Sequence, residues 1–329
     1  MDMILAGDIG GTKTLIGLFE PRDSRPVPVE VRSFPTTDFP GLPQIIDAFF
    51  AETARRPHIS AAAFGIAGPV INQTAQMTNV EWGVNAVELA QGFAHAQVTL
   101  LNDLQAMAYS VPVLDGDELH TLQRGTRRLD GNMGIIAAGT GLGGSLLHRL
   151  ADRHIPVASE VGHSDFAART DRELDFVRYA RTRHDRVEIE HVLCGPGLVN
   201  LSDFTHRHQS CEVLNHPPGD PADVSGAALA GSCAACAEAL EMFVEAYGAA
   251  AGNLALVGVT TSGMFIGGGI APRILPALDT GRFIDAFRDK GLMRPLVEAM
   301  PVHVILNAEA GMLGAAVYAN AVSRRAAAL

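Results

Sequence analysis

The sequence predicts a mixed α/β protein built from two related domains. Short apolar runs alternate with segments of helical periodicity, which favours an α/β architecture over an all-β sandwich. In addition, one layout occurs twice: an apolar run, a glycine-rich turn and a second apolar run, with the turns at residues 7–12 and 139–144. This repetition is the reason for expecting two domains of similar construction.

Composition limits the classes of function. The chain has 329 residues, of which 47% are hydrophobic, enough for a sizeable core. Its 25 basic and 36 acidic residues give a formal net charge of −11 without any basic cluster, so we expect no nucleic-acid partner. The N-terminus has an acid where a signal peptide needs positive charge, and no run approaches the roughly 18 apolar residues of a membrane span. Four cysteines do not make a disulfide framework. We expect a cytoplasmic protein with no membrane partner.

The first glycine turn has the character of a phosphate site. Residues 3–6 and 14–19 read as strands that flank GDIGGT at residues 7–12. Residues without a Cβ let the backbone approach a phosphate, and successive N–H groups in a turn form an anion-binding concavity. A Walker A loop is disfavoured because Thr12, not glycine, precedes Lys13, and because the turn leads into a strand.

A helix and a strand are predicted next. Residues of helical spacing follow Pro43 in a segment that ends near Arg56, and a strand covers residues 60–66. The apolar positions of this helix are Ile45, Ile46, Phe49 and Phe50.

The stretch VTLLNDLQA, residues 98–106, is an apolar run that ends in Asn102 and Asp103 before a helix at residues 104–111. In an open α/β sheet, ligands bind at the carboxyl ends of the strands, where these two side chains would lie. Asp103 is also a suitable N-cap for the helix. Both interpretations stay open on these residues alone.

The second turn, GTGLGG, follows a strand at residues 133–138. It satisfies G-x-G-x-x-G, and Glu160 lies about twenty residues further on, as in a dinucleotide site. However, residues 145–147 resemble a returning strand and not the start of a helix, which disfavours that interpretation. A third apolar run, MFIGGGI, also closes on glycines.

The rest of the chain is mostly helical by pattern. We predict a helix near residues 171–182, a surface loop at residues 210–226, one or two buried helices over residues 227–254, and an apolar C-terminal helix at residues 307–329 that packs on the first domain. Cys233 and Cys236 form a lone CxxC, for which buried small residues are a simpler account than a zinc site.

Taken together in this order, these motifs resemble the bacterial glucokinases of the hexokinase, actin and heat-shock ATPase fold. The motifs are GDIGGTKT, LNDLQA, AGTGLGG, SEVGHSDF, EHVLCGPGLVN, GNLAL, FIGGGIAPR and AGMLGA. The resemblance implies an actin-like ATPase (ribonuclease H-like) fold with a small domain at residues 1–110 and 307–329, a large domain at residues 111–306 and a cleft between them. It also implies transfer of the γ-phosphoryl group of ATP to the 6-hydroxyl of D-glucose, with Mg²⁺, in the first step of glycolysis, by a homodimer.

The same resemblance implies a role for individual residues. Asp103 matches the catalytic base, and Asp8 matches the residue that holds Mg²⁺, through water. The sugar ligands would be Asn102, Asp103, Glu160, His163 and Glu190. The nucleotide would bind Gly7, Asp8, Gly10, Gly11, Thr12, Gly139, Thr140, Gly141, Gly267 and Gly268.

Other readings remain beside this one. Lys13 is a phosphate neutraliser or a solvated side chain, Asn79 is a further sugar-side candidate, and Val161 stands where relatives often have glycine. The alternatives in function are a non-catalytic sugar sensor on the same fold and a kinase for another hexose. A related sugar-kinase and repressor family has a Cys-rich zinc motif after its sugar-binding histidine. No such motif follows His163 and no DNA-binding extension precedes Met3, so we do not expect a transcriptional regulator.

Overall fold

The structure is a computed structural model that describes residues 2–53, 57–77, 80, 82–93, 96–208, 210–211, 213 and 218–327. Asn79 therefore lies outside the described residues, as does Arg56, near which the first predicted helix was expected to end.

Strands are distributed over the whole chain. In chain order they are β1 (Met3–Ile9), β2 (Lys13–Glu20), β3 (Val27–Pro35), β4 (Ile59–Ile66), β5 (Val70–Ile71), β6 (Thr74–Gln76), β7 (Gly83–Asn85), β8 (Gln97–Asn102), β9 (Leu119–Gln123), β10 (Met133–Ala138), β11 (Leu142–Leu150), β12 (Arg153–Val157), β13 (Gly263–Gly267) and β14 (Val302–Ile305).

The helices lie between groups of these strands, which gives the mixed α/β order that the sequence predicts. They are α1 (Leu42–Ala51), α2 (Ala86–Gln91), α3 (Asp103–Ser110), α4 (Asp171–Ala180), α5 (Gly195–Thr205), α6 (Pro221–Leu229), α7 (Ala234–Gly258), α8 (Leu275–Leu278), α9 (Arg282–Arg288), α10 (Arg294–Glu298) and α11 (Ala310–Ala327). Short 3₁₀ turns include Val161–His163 and Ile189–His191.

The chain divides into two compact units, Met1–Asp115 with Asn307–Leu329, and Gly116–Leu306. In the first unit the main sheet has the strand order β3-β2-β1-β4-β8. Strands β1, β2 and β3 are antiparallel, whereas β1, β4 and β8 run parallel. Parallel strands end at the same edge, so the residues that follow β1, β4 and β8 lie near one another.

Both faces of the first unit's sheet are covered, because its strands are apolar on both sides. On one face α1 packs through the four apolar residues predicted for it, all of which are buried. On the other face α11 contributes small residues that allow close packing against β1 and β4, including Ala315 and Ala316. The prediction of a C-terminal helix packed on the first domain is therefore confirmed.

The second unit repeats this construction. Its main sheet has the order β12-β11-β10-β13-β14-β9, in which β10, β13 and β14 are parallel and β9 is an antiparallel edge strand. Omitting β9, the strand order and directions match those of the first unit, which explains why the glycine hairpin occurs twice in the sequence.

The long helix α7 forms the centre of the second unit's core. Tyr247, in its middle, is fully buried, and its hydroxyl accepts a hydrogen bond from the amide of Ala138 at 3.1 Å. The same hydroxyl is 3.3 Å from the carbonyl oxygen of Gly267. Tyr247 therefore ties together the ends of β10 and β13, directly beside the two glycine turns of this unit.

Two predicted boundaries are wrong for local reasons. β1 continues through Gly7 and Asp8 to Ile9, because the residues predicted as turn keep their pairing with β2. Part of the predicted loop at residues 210–226 is helical, since α6 begins at Pro221 with Asp220 as its N-cap. Proline is favoured in the first turn of a helix, so Pro221, which was interpreted as a sign of a loop, starts a helix here.

Among the described residues, no single helix is long and apolar enough to cross a membrane. The bent pair formed by α6 and α7 reaches the length and apolar composition of a membrane span only when the two helices are counted together.

Candidate functional site

One group of candidate site residues lies at the carboxyl edge of the first unit's sheet. Asp8 pairs with Gly65 between β1 and β4, and Ile66 pairs with Asn102 between β4 and β8. Asp8 and Asn102 are therefore near the ends of strands separated by one intervening strand, about 10 Å apart at the usual spacing. The predicted placement of Asn102 and Asp103 at this edge is what the structure shows.

Asn102, and not Asp103, caps helix α3. Its Oδ1 accepts hydrogen bonds from the amides of Leu104 at 3.0 Å and Gln105 at 3.3 Å, and its Nδ2 donates to the carbonyl oxygen of Gly68 at 3.1 Å. Asp103 is the first residue of α3 and is exposed. Its carboxylate thus sits at the positive end of a helix, an environment that favours negative charge.

Gly65 brings α3 into position, a role that the sequence analysis missed. A Cβ on this residue would lie 2.8 Å from the Cβ of Ala106 and 3.6 Å from the Cα of Asp103. Any side chain at residue 65 would push α3, and with it Asp103, away from the sheet. A glycine inside an otherwise apolar strand often marks the close approach of another backbone, and this signal could have identified Gly65 from the sequence.

Asp8 is held in an unfavourable environment for its charge. Burial, together with the negative charge of Asp103, raises the pKa of Asp8 to about 6, against an opposing effect of Lys13. Gly311, near the start of α11, packs directly on this carboxylate: a Cβ there would lie 2.6 Å from Oδ2 of Asp8. A cation at Asp8 would relieve this crowding of negative charge.

The first glycine turn is a tight hairpin of residues 10–12. The amide of Gly10 donates to the carbonyl oxygen of Lys13 at 3.0 Å. Thr36 is fully buried and holds the turn through two hydrogen bonds. Its amide donates to the carbonyl oxygen of Thr12, and its hydroxyl donates to the carbonyl oxygen of Gly10 at 2.8 Å. Thr36 was not identified from the sequence. Lys13 is exposed.

Gly7 differs from the predicted nucleotide residues of the first glycine turn. It lies inside β1, is buried, and pairs with Ile16. A Cβ at this position would lie 2.8 Å from the ring of Phe64. Close packing inside the sheet therefore explains why this position has no side chain.

A second group of candidate site residues lies at the corresponding edge of the second unit's sheet. The turn of Gly139, Thr140 and Gly141 follows β10, and Gly267 and Gly268 end the parallel neighbour β13. Gly268 has a φ of +83°, and a Cβ there would overlap the carbonyl oxygen of Ala138, so only glycine fits. The structure brings these two predicted turns side by side.

Glu190 holds the turn after β10. Its Oε2 accepts a hydrogen bond from the amide of Leu142 at 2.7 Å. A Cβ on Gly141 would lie 2.6 Å from this oxygen, and one on Gly162 would lie 3.4 Å from it. Glu190 therefore joins the glycine turn to the segment that contains Glu160 and His163.

His163 ends a short 3₁₀ turn, Glu160 directly precedes that turn, and both residues are exposed. Nδ1 of His163 is 2.8 Å from Oε2 of Glu188, a residue that the sequence analysis did not single out. This hydrogen bond, opposed by slight burial and reinforced by the charges of Glu190, Glu188 and Glu160, raises the pKa of His163 above its usual value. Glu188 thus orients the imidazole.

The side chain of Val161 packs against β11. A Cβ on Gly144 would lie 2.5 Å from Cγ1 of Val161, so the side chain packs over the backbone of β11 at that glycine. The 3₁₀ turn that follows Glu160 and ends at His163 is accommodated with valine present.

Two units, each an antiparallel hairpin sheet continued by parallel strands, with glycine turns at the carboxyl edges, define the actin-like ATPase fold of the sugar kinases. The structure of a glucokinase from an Antarctic psychrotroph matches with a TM-score of 0.88 at 30% identity, over 98% of this chain and 99% of that one. A ROK family glucokinase from Streptomyces griseus, solved with glucose and AMPPNP, matches in fold with a TM-score of 0.63 at 20% identity, over 97% of this chain and 99% of that one.

The sequence comparisons identify the family within this class. Residues 5–322 match the sequence model of the glucokinase family. A glucokinase from Trichormus variabilis is 38% identical over 97% of this chain and 99% of its own length. The chain belongs to the glucokinase family, and the predicted fold class and hexose kinase activity are confirmed.

Proposed function

We propose that the protein transfers the γ-phosphoryl group of ATP to the 6-hydroxyl of D-glucose, with the carboxylate of Asp103 as general base. The observation that carries this proposal is the exposed position of Asp103 at the carboxyl edge of the first sheet, at the start of α3. As the sugar oxygen attacks the γ-phosphorus, its proton passes to the carboxylate, and the bond to the leaving ADP oxygen breaks. Catalysis is otherwise positioning and stabilisation of charge.

Asp8 is proposed to hold Mg²⁺ through water. Mg²⁺ prefers oxygen ligands and keeps much of its hydration, and a half-buried carboxylate near a second one is a suitable outer partner. The elevated pKa of Asp8 supports the fit, because a cation would offset the burial and the repulsion from Asp103. When bound, Mg²⁺ supplies neutralisation of the phosphate charge.

Three glycine turns are proposed to bind the nucleotide. Gly10, Gly11 and Thr12 offer backbone N–H groups to the phosphates, as do Gly139, Thr140 and Gly141. Gly267 and Gly268 are assigned to the adenosine side. The support is the lack of a Cβ at the glycines of these turns and the hydrogen bonds that hold the turns from behind, made by Thr36 in the first unit and by Tyr247 in the second.

The sugar is proposed to bind the side chains of Asn102, Asp103, Glu160, His163 and Glu190. Sugar hydroxyls both donate and accept, so carboxylates, an amide and an imidazole are suitable partners. Asn102 uses its Oδ1 for the helix cap, which leaves the second N–H of its amide for a hydroxyl. Glu188 is added to the proposal as the residue that orients His163.

The family resemblance underlies three finer proposals: a homodimeric assembly, a cytoplasmic location and a role in the first step of glycolysis. Light scattering of the purified protein tests the first of these directly, since a monomer at working concentration contradicts it.

The central test is the kinetics of Asp103→Asn. We expect kcat to fall by about 10²–10⁴-fold while glucose still binds in a calorimetric titration. The matched control is Asp152→Asn, which changes an exposed carboxylate in the turn between β11 and β12. Full phosphorylation activity in Asp103→Asn overturns the assignment of the base.

The confirmed hexose kinase activity rules out the alternative of a non-catalytic sugar sensor. The remaining alternative makes a different prediction in the same assay. A kinase for another hexose shows a higher kcat/KM for a different sugar in a panel of glucose, mannose, fructose and amino sugars. The same panel with ATP, ADP and polyphosphate identifies the phosphoryl donor.

A further inference from the structure

Three of the protein's four cysteines meet one histidine in the core of the second unit, away from the glycine turns. The side chains are His206, Cys211, Cys233 and Cys236, and all four are buried. Their ligand atoms, one imidazole nitrogen and three sulfurs, all lie within 4.8 Å of one another. The fourth cysteine, Cys194, is separate and caps the N-terminus of α5 through its sulfur.

Two of the distances between these atoms are close to those of a tetrahedral metal site. Zn–S bonds of about 2.3 Å and Zn–N bonds of about 2.0 Å place neighbouring ligand atoms roughly 3.5–3.8 Å apart. Nε2 of His206 is 3.3 Å from Sγ of Cys233 and 3.9 Å from Sγ of Cys236, on either side of that range. All three cysteines are free thiols, so no disulfide accounts for their approach.

The orientation of His206 is that of a metal ligand. Its Nδ1 lies 2.8 Å from the carbonyl oxygen of Ser202, one turn earlier in α5. A carbonyl oxygen only accepts, so Nδ1 carries the proton, and the lone pair of the neutral ring is on Nε2, which faces the sulfurs. Histidine ligands of metals are commonly fixed by such a hydrogen bond at the other nitrogen.

We propose that His206, Cys211, Cys233 and Cys236 bind one structural Zn²⁺ ion. One nitrogen and three sulfurs select zinc over the oxygen-preferring Mg²⁺ of the phosphoryl-transfer site. On binding, each thiol releases its proton to solvent and coordinates as a thiolate. Four protein ligands leave no open position for water or substrate, so the ion has a structural role and no catalytic one.

The ligands show what the ion would hold together. His206 directly follows the C-terminus of α5, Cys211 lies in the segment after it, Cys233 is the N-cap of α7 and Cys236 lies in its first turn. The hydroxyl of Thr205 already donates to the carbonyl oxygen of Ala235 at 2.8 Å, beside the cluster. The ion would therefore fasten the end of α5 and the chain beyond it to the start of α7.

The proposed zinc site also lies away from the glycine turn proposed to bind phosphate. The opposite end of α5 begins at Gly195, whose amide donates to the carbonyl oxygen of Gly139 at 2.8 Å. The helix has 11 residues and is therefore about 16 Å long. Metal binding can consequently be tested independently of the proposed kinase function.

The first experiment is metal analysis of the full-length protein, purified reduced and desalted. We expect about one zinc ion per chain. Cys233→Ser and Cys236→Ser should lose the zinc, whereas Cys194→Ser should keep it, because serine preserves the helix cap. Zinc at wild-type stoichiometry in both cluster variants overturns the proposal.

The second experiment uses the wild-type chain alone, so that it stands even where a cluster variant does not fold. After zinc is exchanged for Co²⁺, we expect the visible bands of a tetrahedral cobalt ion and a near-ultraviolet thiolate-to-cobalt band. Treatment with a strong chelator should lower the Tm of the wild type and leave that of a folded Cys236→Ser variant unchanged. Folded, reduced wild-type protein that contains no zinc and binds no Co²⁺ contradicts the site, and so does a Cys233–Cys236 disulfide found after anaerobic purification.

Discussion

The carboxylate of Glu190 accepts a hydrogen bond from the backbone amide of Leu142, 2.7 Å away, directly after the glycine turn of the second unit. One side chain proposed to bind sugar therefore also fixes the backbone proposed to bind phosphate. On this proposal, sugar recognition and the shape of the phosphate turn depend on the same residue.

Glu190→Ala should consequently weaken binding of both substrates. A hydrogen bond to a charged group is worth about 1.5–3 kcal/mol, so we expect KM for glucose to rise about 10- to 100-fold, with a smaller rise in KM for ATP. Steady-state kinetics with each substrate varied in turn measures both constants. A variant with changed KM for glucose alone contradicts the link through Leu142.

Gly311 is predicted to be required for the position of Asp8. In Gly311→Ala the new Cβ would lie 2.6 Å from Oδ2 of Asp8, so the carboxylate or the start of α11 has to move. A displacement of about 1 Å near the reacting groups costs up to ~10²-fold in rate, so we expect a fall in kcat of about 10- to 100-fold. We also expect a higher Mg²⁺ concentration at half-maximal activity.

The control for Gly311 is Gly226→Ala. Gly226 lies within helix α6, and a Cβ there meets nothing within 4 Å. Removal of a glycine from a helix interior should stabilise the protein by about 0.5–1 kcal/mol without changing the Mg²⁺ dependence. An unchanged Mg²⁺ dependence in Gly311→Ala would show that Gly311 does not position Asp8.

His163 should titrate above the reference value of 6.5, mainly because of its hydrogen bond with Glu188. Since the pKa is raised in the folded state, the stabilisation is fully present below pH 6.5 and is lost as the pH rises through the folded pKa. Glu188→Gln should return the pKa of His163 toward 6.5. Imidazole NMR titrations of the two proteins measure this, and identical titration curves argue against the pair.

Gly268→Ala should destabilise the protein, because a φ of +83° is strained for alanine and its Cβ would overlap the carbonyl oxygen of Ala138. Such strain costs on the order of 1–3 kcal/mol. The neighbouring Gly269→Ala is the matched control, since a Cβ there meets nothing within 4 Å, and its effect should stay within about 0.5 kcal/mol. Equal denaturation midpoints for the two variants contradict this account of Gly268.

The sequence by itself determined those features that depend on neighbours along the chain. The run at residues 133–138 and its glycine turn appear in the structure where they were expected, because apolar periodicity and residues without a Cβ act locally. Asn102 and Asp103 were found for the same reason, since a buried strand that ends in polar residues exposes them at its edge.

The tertiary structure alone decided which distant residues meet. Gly311 reaches Asp8 only after α11 folds back onto β1, and Glu188 reaches His163 only when two short turns pack together. For Cys233 and Cys236 the sequence favoured buried small residues, because His206 and Cys211 belong to a preceding segment. These contacts are made by side chains brought together through folding of the whole domain, and neither their closeness nor their orientation is encoded in local spacing.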